Sequence, residues 1–241
     1  MQLGHNHPQN GTLFGRMVLE ERAGEAIEAW TRSTGHLDPM ESTAVATACE
    51  ISERECCYLS VRFGAPGPLL SASMALLAAL RRDSDPAYVR QLLHDLATSL
   101  SNRGIPRHVL ENHLRTLVKE MRMARCGDEA LYWQLDRAVE ALWVERQEVL
   151  PEEHRAALFC DFFAEVPPSD HNRMVAWLVT AAVVDEACGI PRAVPALTRW
   201  FADTSQYSLS WLTAVEHLVR ATQIEISIVR QIGHKYRSEA G

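Results

Sequence analysis

The sequence predicts an all-α protein in which a four-helix unit occurs twice in tandem, forming a short helical-repeat solenoid or a pair of bundles. Three observations predict it. Apolar residues recur at helical spacing along nearly the whole chain, and glycine and proline interrupt that pattern at regular intervals. The chain is also similar to itself at an offset of 85 residues.

Taken in order, residues 1–11 are polar or glycine-bearing and lack periodicity, as expected of a disordered end. Residues 12–65 predict two helices. The first carries Phe14, Val18, Ile27 and Trp30, and the second runs from Ala44 to Val61. Residues 66–150 form the first four-helix unit. Within it Val89, Leu93, Leu96 and Leu100 step by 4, 3 and 4, and so do Leu110, Leu114, Leu117 and Met121. Leu131, Leu135, Ala138 and Leu142 follow at similar spacing. Each set lays one apolar stripe along a helix face, the mark of a helix docked on a core. Residues 151–232 form the second unit, and 233–241 a loose end. Ile224, Ile226 and Ile228 alternate as in a strand, but the run is short and continues a helical pattern, so helix is preferred.

The breaks between helices have a common chemistry. Gly64-Ala65-Pro66, Gly104-Ile105-Pro106, Val149-Leu150-Pro151 and Gly189-Ile190-Pro191 separate periodic segments, their prolines 40, 45 and 40 residues apart. Glycine closes a helix in the left-handed conformation, and a proline soon after suits the first turn of the next. Each interval holds a second break rich in aspartate, serine or proline, whose side chains cap helices by accepting an orphan N–H. Sliding the chain by 85 aligns Ser84-Asp85 with Ser169-Asp170, Leu93 with Leu178 and Ala97 with Ala182. The same shift aligns Gly104-Ile105-Pro106-Arg107-x-Val109 with Gly189-Ile190-Pro191-Arg192-x-Val194, giving nine identities without a gap. Recurrent cap chemistry accounts for Gly-Ile-Pro but not for the fixed loop-to-loop distance, so duplication is preferred.

Bulk properties narrow the function. With 241 residues, 47% hydrophobic and 23% charged, the chain can bury a sizeable core. A net charge of −7 argues against general nucleic-acid binding. No apolar run approaches the roughly 18–20 residues of a membrane span, and the first residues lack the pattern of a secretory signal. A cytoplasmic location with reduced thiols is therefore expected. The six cysteines have no C-x-x-C spacing. Most read as small core residues, with a redox role at Cys49, Cys56 and Cys57 left open. The tryptophans near the apolar stripes also read as core.

No phosphate loop, dinucleotide fingerprint, zinc-protease motif or nucleophile elbow occurs in the sequence. No catalytic residue is assigned, no cofactor is called for and no metal-ligand set is complete. His94, His108, Glu111 and His113 are the residues from which a site could start. His108 and Glu111, three apart at a helix start, are read first as a polar turn satisfying helix N–H groups. Charge is uneven: residues 101–125 carry +4, and 126–170 carry −8. Arg107, Arg115, Lys119, Arg122 and Arg125 make a basic helix that could face an acidic partner protein or a second copy of the chain.

Leu96-Ala97-x-x-Leu100-x-x-x-Gly104-Ile105, followed by long amphipathic helices at 107–125 and 128–147, resembles the second half of a bacterial globin over residues of about 69–147. In globins the position held by Leu100 carries the haem-ligating histidine. Leucine cannot ligate iron, and the second copy has Asp185 there, so the resemblance implies a globin-like fold that lacks haem or uses another ligand. The preferred expectation is a non-enzymatic adaptor, chaperone or regulator that binds a protein through a helical-repeat surface. The alternative is a helical sensor or carrier holding a metal, tetrapyrrole or other small ligand between helices.

Overall fold

The computed structural model describes residues 38–64, 67–82, 85–126, 129–190, 193–203 and 209–239. The expected loose end 1–11 and the helix expected around Phe14 to Trp30 lie outside them. Among the described residues all regular structure is helical, with no strand. The helices are α1 (Pro39–Glu55), α2 (Cys57–Phe63), α3 (Pro68–Arg82), α4 (Pro86–Ser101) and α5 (Arg107–Ala124). They continue with α6 (Glu129–Val149), α7 (Glu152–Ala164), α8 (Asp170–Ala187), α9 (Ala193–Asp203) and α10 (Leu209–Glu239). No single described helix is long and apolar enough to cross a membrane.

The helix starts follow the expected chemistry with local differences. Asp38 caps α1 by accepting from Met40 N–H at 2.9 Å, and Glu41 completes the capping box. Asp85 and Ser169 cap α4 and α8, so the aligned Ser-Asp pairs each supply a cap, but from different members. Pro39 and Pro86 stand inside the first turn, whereas Pro106 and Pro151 occupy the cap position itself and offer no side-chain acceptor. Residues 44–61 are not one helix: Cys56 breaks it, with ψ of 77°. The Ile224–Ile228 run lies within α10, whose helix continues to Glu239, beyond the 232 boundary expected from the sequence.

The loops at Gly104 and Gly189 share one geometry. Both glycines have positive φ (82° and 91°). In each, the isoleucine that follows donates its N–H five residues back, Ile105 to Leu100 and Ile190 to Asp185, both at 2.9 Å. This is the bond that closes a helix through a left-handed glycine. Ile105 and Ile190 then enter the core, as do Leu93 and Leu178, and Ala97 and Ala182.

The expected stripes are the core. Val89, Leu93 and Leu100, then Leu110 through Met121, then Leu135, Ala138 and Leu142 are buried in one continuous cluster. Helix α5 is the hub, packing on α1, α3, α4, α6 and α8, most extensively on α1. Helices α7 to α10 form a second group, and its main contacts with the first are α8 on α5 and α10 on α6. The tryptophans divide. Trp211 is buried, but Trp133 is exposed, contrary to the core expectation, and lies under the Arg137 guanidinium at 4.3 Å.

Candidate ligand cavity and buried charge network

Where α8 meets the first group, a cavity of about 410 Å³ opens between four helices. The end of α1 supplies Ser52, Glu55 and Cys56, and α5 supplies Val109, Asn112 and His113. Phe159 comes from α7, and Asp170, Arg173, Met174 and Trp177 from α8. The carriers of formal charge, Glu55, Asp170 and Arg173, are exposed, while the wall between them is mainly aromatic and aliphatic.

His113 forms part of the inner wall and is fully buried. It lies three residues after Leu110 and four before Leu117 on the buried face, and that spacing draws it inward. Ser73 Oγ lies 2.6 Å from Nε2, and Ser52 Oγ 2.9 Å from Nδ1. Ser73 donates its only proton to the Leu69 carbonyl at 2.9 Å. Nε2 therefore carries the ring proton and donates to Ser73, and Nδ1 accepts from Ser52. Burial pushes the His113 pKa down to about 4, so the ring is neutral. Both nitrogens are committed, which leaves none for a metal. Because the imidazole is the donor toward Ser73, it cannot act as that serine's base, so the pair is not an activated nucleophile.

The other metal candidates do not converge. His94 is exposed on α4, away from His113. His108 packs its ring edge-on against Trp177, centroids 5.2 Å apart. Its Nδ1 stands 3.6 Å from Glu111, within ion-pair range but too far for a hydrogen bond, and is buried with no hydrogen-bond partner among the described residues. Among the described residues no three histidine, cysteine, aspartate or glutamate side chains come together as a metal site. Leu100, where a globin would place its histidine, is buried in the core.

Glu111 does not satisfy backbone groups of its helix start, as first expected. It is fully buried and holds Arg146 of α6 through two bonds, Nε to Oε1 at 3.1 Å and Nη2 to Oε2 at 2.7 Å. Burial alone would raise its pKa, but His108 and the paired Arg146 outweigh this and bring it to about 2. Arg107, expected on a partner surface, is buried beside it. Arg107 Nη2 donates to the Leu142 carbonyl at 2.9 Å, and its backbone N–H donates to Asp185. Burial pushes Asp185 up to about 7, against the partial relief that the Arg107 N–H and charge give. Two arginines and two carboxylates thus join α5, α6 and α8 inside the protein.

The remaining basic residues divide further. Arg122 is taken by Asp136 of α6 at 2.5 Å and lies over the Tyr132 ring. Arg115, Lys119 and Arg125 are exposed and make no ion pair among the described residues. The sequence offered no sign of the partners of His113 and Glu111, since Ser52, Ser73 and Arg146 lie on other helices. Only their spacing among core positions marked these residues as inward-facing.

The chain matches no protein-family model, no curated protein and no solved structure.

Proposed function

We propose that this protein binds a small, mainly apolar ligand in the cavity between α1, α5, α7 and α8. The supporting observation is the cavity itself. Its volume of about 410 Å³ falls within the roughly 300–1,000 Å³ of small-molecule sites, which combine apolar walls with a few placed polar groups. Val109, Phe159, Met174 and Trp177 supply the apolar wall, Asn112 and the neutral His113–Ser52 pair the polar groups, and Glu55, Asp170 and Arg173 a charged mouth. This corresponds to the carrier or sensor alternative, with an organic ligand in place of a metal or tetrapyrrole. As a test, the fluorescent apolar anion 8-anilinonaphthalene-1-sulfonate is titrated into the protein. One saturable dye per chain, displaced when Val109→Phe narrows the cavity without changing the helical melt, supports the proposal. Dye binding unchanged by Val109→Phe, or no saturable binding, sinks it.

A second reading, the adaptor, is favoured by Arg115 and Lys119 on α5 and Arg125 at its end, which are exposed and make no ion pair among the described residues; Met123 in the same turn is 68% exposed. A cationic face with an apolar neighbour suits an acidic protein surface, or the acidic 126–170 stretch of a second copy. Reversing all three charges should abolish co-purification of a partner; retention of every partner would remove the adaptor from consideration. We also infer that 66–150 and 151–232 are duplicated four-helix units. The supporting features are the equivalent Gly104 and Gly189 loops and the helix order, in which α3 to α6 correspond to α7 to α10.

A further inference from the structure

We propose that Cys56, Cys57 and Met174 form a binding site for a soft monovalent cation, copper(I) being the physiological candidate. The site shares Cys56 and Met174 with the cavity lining, but it rests on the sulfurs and is read by copper rather than by an organic ligand.

Two features of the fold bring the Cys57 and Met174 sulfurs into contact and set Cys56 next to them. Helix α1 ends at Cys56, whose ψ of 77° takes the vicinal pair out of regular helix geometry. Helix α8 then brings Met174, 117 residues away in sequence, against Cys57, with Sγ 3.2 Å from Sδ. Cys56 and Met174 line the same cavity, so the second thiol borders the same space. Cys57 is exposed, giving an incoming ion access. Two thiols and a thioether are a soft donor set, of the kind that selects copper(I) over the harder divalent ions.

The geometry needs a small adjustment only. Metal–sulfur bonds of about 2.3 Å in a trigonal arrangement place sulfurs about 4 Å apart. The Cys57–Met174 pair must therefore part by somewhat under 1 Å, within reach of methionine's three rotatable bonds. Each thiol that ligates gives up its proton to solvent, and copper neither gains nor loses an electron. The bis-thiolate complex then carries one negative charge, beside a cavity mouth that holds Arg173 together with Glu55 and Asp170.

The full chain, reduced and kept free of oxygen, is titrated against the coloured copper(I)–bicinchoninate complex. The expected result is one copper withdrawn per chain, with silver(I) competing for the same site. Cys57→Ser and Met174→Leu should each weaken binding about tenfold or more, while Cys160→Ser, at an exposed position of α7, leaves it unchanged. Circular dichroism melts establish that the variants remain folded. No copper withdrawn, affinity unchanged in Cys57→Ser or Met174→Leu, or affinity lost in Cys160→Ser would each overturn the assignment.

Discussion

Asp185, near the end of α8, accepts a hydrogen bond from the backbone N–H of Arg107, 78 residues earlier at the start of α5. Pro106, in the cap position of α5, has no side-chain acceptor to offer, so the second helical group supplies one. The next residue, Glu186, does the same for α9 by accepting from Val194 N–H at 2.9 Å. Two adjacent carboxylates thus serve two helix starts. The 85-residue offset aligns Leu100 with Asp185. The two aligned positions differ in this role: Asp185 accepts the orphan N–H of Arg107, whereas Leu100 is buried in the core.

That joint should be sensitive to the loss of its acceptor. Asp185→Ala leaves the Arg107 N–H buried without a partner and should cost about 1–3 kcal/mol. Asp185→Asn keeps an acceptor oxygen and should cost much less at neutral pH. Urea unfolding of the two variants at pH 7 distinguishes them; equal losses would mean that the bond contributes nothing specific.

The Glu111–Arg146 pair makes a sharper prediction. Glu111→Gln leaves the buried Arg146 guanidinium only the exposed Glu152, 3.4 Å away, as a counter-charge, and breaking a buried pair typically costs about 3–5 kcal/mol. Removing both charges in Glu111→Leu with Arg146→Met should recover most of that loss, because desolvating the pair was itself costly. A double-mutant cycle of Glu111→Leu and Arg146→Met, singly and together, by urea denaturation reads the coupling directly. Additive losses would show that the two side chains do not act as a pair.

Local pattern carried the fold, and long-range partnership was hidden. The stripe Leu110, Leu114, Leu117 and Met121 marks the buried face of α5 on the sequence alone, because a helix repeats every 3.6 residues whatever it packs on. Glycine and proline likewise marked the loops, because the left-handed turn at Gly104 is a property of a few residues. Arg107 was misplaced on the surface for the opposite reason. Its burial depends on Leu142, Glu145 and Asp185, which no local pattern couples to it. Cys57 and Met174 are separated in the same way, so their contact left no trace in spacing.

The two equivalent glycines should respond unequally to alanine. Both have positive φ, so a Cβ carries a conformational cost of about 1–2 kcal/mol at either position. At Gly189 no atom of the described residues lies within 4 Å of the added Cβ, so that cost dominates the effect. At Gly104 the Cβ would stand 3.1 Å from the Tyr58 hydroxyl and 3.3 Å from the Ala196 backbone, so α9 must also yield. Gly104→Ala should therefore lower the melting temperature by more than Gly189→Ala. The reverse order would mean that Gly104 is not held closely between α2 and α9.

His113 and Asp185 give opposing pH dependences over nearly the same window. The folded pKa of His113 is lowered from 6.5 to about 4, so the unfolded chain binds the extra proton between those values. Its contribution to stability is complete above pH 6.5 and is lost as pH falls toward 4. Asp185 is raised from 3.8 to about 7, so there the folded chain holds the extra proton. Its contribution is complete below 3.8 and is lost as pH rises toward 7. The two slopes offset in the wild type, leaving a nearly flat contribution between pH 4 and 6.5. Asp185→Asn should expose the histidine's slope, with stability rising from pH 4 to 6.5. His113→Gln should expose the aspartate's, with stability falling from pH 4 to 7. Urea unfolding at half-unit steps of pH measures both, and parallel profiles for the two variants would show that neither buried group titrates as assigned.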